Sequence, residues 1–110
     1  MENITYDDFK KLDIRVAEII SAEEIAGADR LWKLKVSLGE EERELVAGIK
    51  AFYPAEALPG KKIIVLANLE ARSIRGVESK GMILAAALPD KSDLAVLTVE
   101  KLMPNGTQVS

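Results

Sequence analysis

The sequence predicts an all-β domain: a five-stranded Greek-key barrel of OB type, with a short N-terminal helix and a helical turn after the third strand. Three observations carry that expectation. Apolar and polar residues alternate with a period of two over several short stretches. Those stretches are uneven in length and number about five, whereas a β-sandwich normally wants more strands of similar length. The chain has 110 residues, 48% hydrophobic but only 5% aromatic, which suits one domain over residues 1–110 with an aliphatic core.

Each element follows from local chemistry. Thr5 stands where an N-cap belongs, with Asp8 three residues on, so a short helix starts at Tyr6 and stops near Leu12. Tyr6, Phe9 and Leu12 can share one face, as a small lid against the barrel or a partner chain. Asp13 to Ile25 reads as a long strand, and a β-bulge near Ala17 and Glu18 is expected to repair its register. In Leu31 to Leu38, Trp32, Leu34, Val36 and Leu38 fall on one face, with Lys33 and Lys35 on the other. Arg43 to Ile49 forms the next strand. Pro54 then starts a helical turn that Pro59-Gly60 ends. Lys61 to Asn68 is a buried strand, because Ile63 to Ala67 is continuously apolar. Leu69 to Lys80 is a basic loop or hairpin. Gly81 to Leu88 and Ala95 to Val99 are the last strands, and Met103 to Thr107 is a closing turn.

Composition excludes several functions. With no cysteine and no histidine, there is no disulfide, no thiolate or imidazole metal site, and no Ser-His or Cys-His pair. The six serines have no imidazole to activate them. The acidic pairs Asp7-Asp8 and Glu23-Glu24 read as solvated surface. Gly76 to Gly81 has glycines at phosphate-loop spacing, but no Lys-Ser/Thr follows, and the strand comes after the loop. No enzyme and no cofactor are therefore expected. Met1 to Thr5 shows neither a basic n-region nor an apolar h-region, and no apolar run reaches membrane-spanning length, so the expected location is cytoplasmic.

Charge is unevenly placed. The net charge is -3, yet residues 1–30 carry -4 and residues 61–80 carry +3. The basic segment sets Arg72 and Arg75 three residues apart, with Gly76 as a hinge and Ser73 and Ser79 alongside. Guanidinium forks suit phosphate oxygens, and hydroxyls and loop amides add further bonds. In an OB barrel this loop joins the fourth and fifth strands, at the edge of the usual nucleic-acid face. Lys33 and Lys35 extend the patch. A hairpin whose charges merely keep it solvated is the competing reading.

Asp8 to Val16 resembles the entry motif of the tRNA-binding domain family. That family includes the C-terminal domain of many methionyl-tRNA synthetases, free-standing structure-specific tRNA-binding proteins, and endothelial-monocyte-activating-polypeptide domains. Ala28-Asp29-Arg30-Leu31 followed by Lys33 to Val36 is similar to its second motif. Val46 to Ile49, Tyr53-Pro54 and Gly60 to Lys62 are similar to its third. Asn68-Leu69 and Ile74 to Met82 form the most specific stretch. The resemblance runs from Tyr6 to the end of the chain. It departs at Ala26-Gly27, where His-Pro is usual, at Ala47-Gly48 for Ser-Gly, and at Glu70 and Ser73, where basic residues are common.

The resemblance implies an OB barrel, a homodimer, and tRNA as partner, read by its folded shape. It also implies association with methionyl-tRNA synthetase. Carried onto this chain, the RNA-contact residues are Asn68, Arg72, Arg75, Ser79 and Met82, with Lys33 and Lys35 in support. Arg72 and Arg75 would pair with phosphates, and Asn68 and Ser79 with phosphate or ribose hydroxyls. Met82 would make an apolar contact, hold the loop against the barrel, or pack in the core. An alternative from the same family is an export-associated, chaperone-like dimer that binds peptides. A pure interaction domain that recruits a synthetase is a third.

Overall fold

Alternating residues in the first three strands build the scaffold. The computed structural model describes residues 1–110. β1 (Ile14–Ile25), β2 (Ala28–Ser37) and β3 (Glu42–Ala47) form an antiparallel meander. β4 (Lys62–Leu66) then returns to pair with the first half of β1, which is the Greek-key step. β7 (Met82–Ile83) pairs with β4, giving the sheet order β3-β2-β1-β4-β7. Between β4 and β7 stands a hairpin of β5 (Arg72–Ile74) and β6 (Val77–Ser79). A second hairpin, β8 (Ala85–Ala87) and β9 (Leu94–Val96), follows. No helix is long and apolar enough to cross a membrane.

The core is aliphatic and lies inside the curled sheet. Trp32, Leu34, Val36 and Leu38 are all buried, as the alternation of β2 requires. They meet Ile19, Leu45, Ile49, Leu58, Ile63 and Val65 in one cluster. The 3-10 turn Ala55–Ala57 begins after Pro54 and closes the floor through Leu58. Trp32 satisfies its indole N–H by donating to the Tyr53 carbonyl at 2.8 Å.

Several details differ from the sequence expectation. The bulge of β1 falls at Ile20, between Ile19 and Ser21, rather than near Ala17 and Glu18. Ala17 is small enough to serve as a core residue, so Ala17 and Ile19 point inward. Glu18 faces outward, where Lys62 and Asn105 bond its carboxylate. The N-terminal helix α1 (Tyr6–Phe9) forms with the Thr5 hydroxyl accepting from the Asp8 N–H at 3.1 Å, but it does not cover the barrel. Tyr6 and Leu12 remain exposed. The strand expected over Gly81 to Leu88 is two strands broken at Leu84. Its N–H bonds to Ile64 of β4, and its carbonyl accepts from Leu97, so the chain changes sheets there.

The barrel is OB-like but its edges are not joined by a ladder. β3 and β7 face one another across a seam that other groups bridge. The Lys80 N–H donates to the Glu44 carbonyl at 3.0 Å, and the Val46 N–H donates to the Ser79 hydroxyl at 3.0 Å. Gly81 makes the approach possible: a Cβ there would stand 3.0 Å from the Leu66 carbonyl oxygen and 3.2 Å from Leu45. The C-terminal segment closes the remaining side of β1. Thr107 accepts from the Val16 N–H, and the Val109 N–H donates to Ile14.

Candidate nucleic-acid interface

The β5–β6 hairpin carries the basic loop and is fixed to the edge of β3. Ser79 is buried, accepts from the Val46 N–H, and donates to the Gly81 carbonyl at 3.2 Å. Arg43 adds a second tie. Its Nη1 donates to the Ala67 carbonyl and, at 3.5 Å, to Lys80, while Nη2 pairs with Glu41 at 3.0 Å. These bonds also satisfy an exposed strand edge that would otherwise invite pairing with another chain. Sequence reasoning missed Arg43. The available signal was its parity: it follows the inward alternation of Leu45 and Ala47 and stands opposite Val36.

The hairpin presents Arg72 and Arg75 differently. Arg72 is exposed and lies directly across from Ser79. Arg75 occupies the turn with φ 52°, in the left-handed region, ahead of Gly76. Its Nη1 reaches to within 3.8 Å of where a Cβ on Gly27 would sit, at the turn between β1 and β2. The first-strand turn and the basic hairpin therefore meet, and these are the two loops an OB barrel uses for nucleic acids. Gly27 itself turns the chain with φ 76°, in the left-handed region that favours glycine.

The remaining expected site residues divide into free and engaged groups. Lys35 is exposed on the outer face of β2 and has no carboxylate in ion-pair range. Lys33 sits between Glu23 at 3.4 Å and Glu44 at 3.7 Å, so its charge is partly neutralised. Asn68 is engaged on both ends: its Oδ1 accepts from the Asp13 N–H at 2.9 Å, and its Nδ2 donates to the Lys11 carbonyl at 2.7 Å. It ties the exit of α1 to the end of β4. Met82 opens β7 with its backbone paired to Leu66, yet its side chain is 43% exposed. It is not a core residue.

None of the eight ion pairs includes Arg30, Lys35, Arg72, Arg75 or Lys91. Arg30 and Lys91 were not singled out in the sequence, because they lie in separate segments that only the fold brings together. Lys91 has φ 61° in the β8–β9 turn. In that turn Asp90 is held below the usual carboxylate range, first by the Ser92 hydroxyl and then by the Ser92 amide. At the start of β1, Arg15 is raised above its ordinary value, chiefly by its hydrogen bond to Asp13 at 2.8 Å. No cluster of acidic residues is arranged to hold a metal ion.

Comparison with known proteins bears directly on this arrangement. The methionine–tRNA ligase of Clostridium tetani is 48% identical over 108 residues, covering 98% of this chain but 17% of that protein. The chain thus spans about one-sixth of the length of that curated relative. A MetRS-related protein from Pyrococcus horikoshii superposes with a TM-score of 0.93 at 37% identity, with all of both chains covered. The chaperone CsaA from Bacillus anthracis superposes with a TM-score of 0.89 at 27% identity, covering 99% of this chain and 100% of that one. The tRNA binding domain model matches residues 14–108, from the first residue of β1 to the residue that bridges Arg15 near the C-terminus. A match of that extent, over the same strands and the same basic hairpin, makes this chain a member of the tRNA binding domain family.

Proposed function

We propose that this chain is a non-catalytic, cytoplasmic module that binds tRNA by shape, through phosphate and ribose contacts, either alone or as an accessory domain or subunit of methionyl-tRNA synthetase. The observation that carries the reading is the pair of unpaired guanidinium groups, Arg72 and Arg75, on a hairpin fixed against β3. Fixed donors lose little freedom on binding and suit phosphate oxygens spaced along a folded backbone. Lys35, and more weakly Lys33, extend the charge onto β2, and Met82 offers an exposed apolar contact at the start of β7. In this reading Asn68 and Ser79 act mainly by holding the site in shape. Linking such a module to a synthetase would raise the local tRNA concentration without adding catalytic chemistry.

The module would act as a homodimer. Tyr6 and Leu12 on and beside α1 are exposed and uncovered within one chain. A dimer mass by light scattering at micromolar concentration is expected.

The test is a tRNA titration by fluorescence anisotropy at low and near-physiological salt, with single-stranded RNA as competitor. Affinity that falls with salt and survives the competitor supports shape-selective phosphate contacts. Absence of binding at low salt overturns the reading. A second reading, a dimer that binds peptides, is favoured by the likeness to the chaperone CsaA. It expects salt-tolerant binding of unfolded peptides instead.

A further inference from the structure

A cleft of about 570 Å³ opens between the start of β2, the segment 48–52 and the β8–β9 turn. Its size falls within the range of about 300–1,000 Å³ usual for small-ligand sites. Phe52 and Leu94 supply apolar wall, Gly48 lines one side, and Arg30, Lys91 and Asp93 stand around it. Phe52 is half-buried, and unlike its neighbour Tyr53 it is not packed against the barrel core. Core packing therefore does not account for an aromatic residue here.

Three other clefts of comparable size lack this combination; one, lined by Val99, Glu100, Lys101 and Met103, has no aromatic residue. The one lined by Lys35, Glu42, Arg43, Glu44, Glu78 and Lys80 has no apolar wall, and its charges balance. The one beside Arg15 includes Glu40 and Glu41, which repel anions. Among these, the Phe52 cleft alone joins an aromatic face to two cations that have no carboxylate partner.

We propose that this cleft holds one unstacked nucleotide of a bound RNA, with the base against Phe52 and Leu94 and its phosphate between Arg30 and Lys91. The proposal rests on the RNA-binding reading above and extends it to a second contact point. Flat bases stack on aromatic side chains whatever their identity, and phosphates seek unpaired cations. Asp93 uses one carboxylate oxygen to accept from the Leu94 N–H at 2.8 Å. The other can accept from an amino or imino group on the base edge, which turns the base toward Asp93 and the phosphate away from it. The Lys91 ammonium is presented by a turn that is already organised. The Lys91 N–H donates to Leu88 at 2.9 Å, and Asp90 accepts from both the amide and the hydroxyl of Ser92. Arg75 of the basic hairpin reaches the β1–β2 turn at Gly27, three residues before Arg30, so the turn lies between the hairpin and the residue that lines the cleft.

The test combines two measurements on the whole chain. Amide NMR spectra are followed while each of the four ribonucleoside 5′-monophosphates is added, with inorganic phosphate as control. Two single variants, Phe52→Ala and Lys91→Gly, are then titrated with tRNA. Glycine at position 91 removes the ammonium while accepting the left-handed backbone. The expected result is saturable shifts at Gly48, Phe52 and Leu94 that phosphate alone does not reproduce. Phe52→Ala is expected to weaken tRNA binding by about fivefold or more. Lys91→Gly is expected to lower the salt slope by about one. Normal tRNA binding by both variants, with no nucleotide shifts, overturns the cleft proposal and leaves the module reading intact. Nucleotide shifts without any tRNA binding support the cleft and overturn the module reading. Equal shifts from phosphate alone overturn the base contact. Shifts produced only by peptides or by rising protein concentration overturn the proposal in favour of a peptide or a second copy of the chain.

Discussion

The meander β1–β2–β3 and the β5–β6 hairpin are both antiparallel, yet they are held by different means. The meander has strands of 12, 10 and 6 residues whose inward side chains are almost all buried. The hairpin has strands of three residues, and only Ser79 among them is buried. One region derives its stability from apolar burial along continuous ladders. The other is attached by a hydroxyl, a guanidinium and one backbone bond. A protein that must present charge to a large polyanion gains from this division, because the exposed hairpin can vary while the scaffold holds.

Three changes probe that contrast, and a fourth tests the β8–β9 turn outside both regions. Leu34→Ala, at a fully buried position in the centre of β2, is expected to cost about 2–5 kcal/mol through lost burial and a residual cavity. Urea unfolding measures it, and a cost no greater than that of Ile74→Ala in the hairpin would erase the distinction. Ser79→Ala removes the acceptor of the Val46 N–H and is expected to cost about 1–3 kcal/mol. An unchanged urea midpoint would mean that Arg43 and the Lys80–Glu44 backbone bond hold the seam without Ser79. Arg72→Ala with Arg75→Ala should leave stability within about 0.5 kcal/mol, as for ordinary surface changes. The same pair should reduce the salt slope of tRNA binding by about two. Wild-type affinity in the double variant would move the interface off the hairpin. The smallest effect concerns Asp90. Its folded pKa is depressed by Ser92, so its contribution to stability is present above the unfolded value and lost as pH falls through the folded one. Carboxyl titration by NMR is expected to show the Asp90 pKa rising in Ser92→Ala, with stability at neutral pH little altered.

The same contrast governs what could be read from the sequence. The inward residues of β2 were legible because a ladder strand must alternate, and Trp32 to Leu38 does so without interruption. The Greek-key count, the Thr5 cap and the turn after Pro54 were legible for similarly local reasons. The bulge was misplaced because Glu18 is settled by Lys62 and Asn105, residues distant in the chain. Within the site, the exposure of Arg72 and Arg75 followed from a polar segment between apolar strands. The roles of Asn68 and Ser79 did not. Their hydrogen bonds reach 55 and 33 residues away, to backbone groups whose position only the folded barrel defines. The cleft at Phe52 was hidden for the same reason, since Arg30 and Lys91 come from distant segments of the sequence that only the fold brings together.

Closing the barrel with a side-chain hydroxyl also sets where the domain breathes. The Val46 and Lys80 amides at the seam can exchange with solvent when the hairpin lifts, without any strand of the meander separating. Core amides such as that of Leu34, fully buried between β1 and β3, are expected to exchange only on global unfolding. A ligand that touches both the hairpin and β2 would span the opening and slow exchange at those two amides first. The seam is thus a built-in reporter: its hydrogen-exchange rate reads occupancy of the charged face without any label on the protein or its partner.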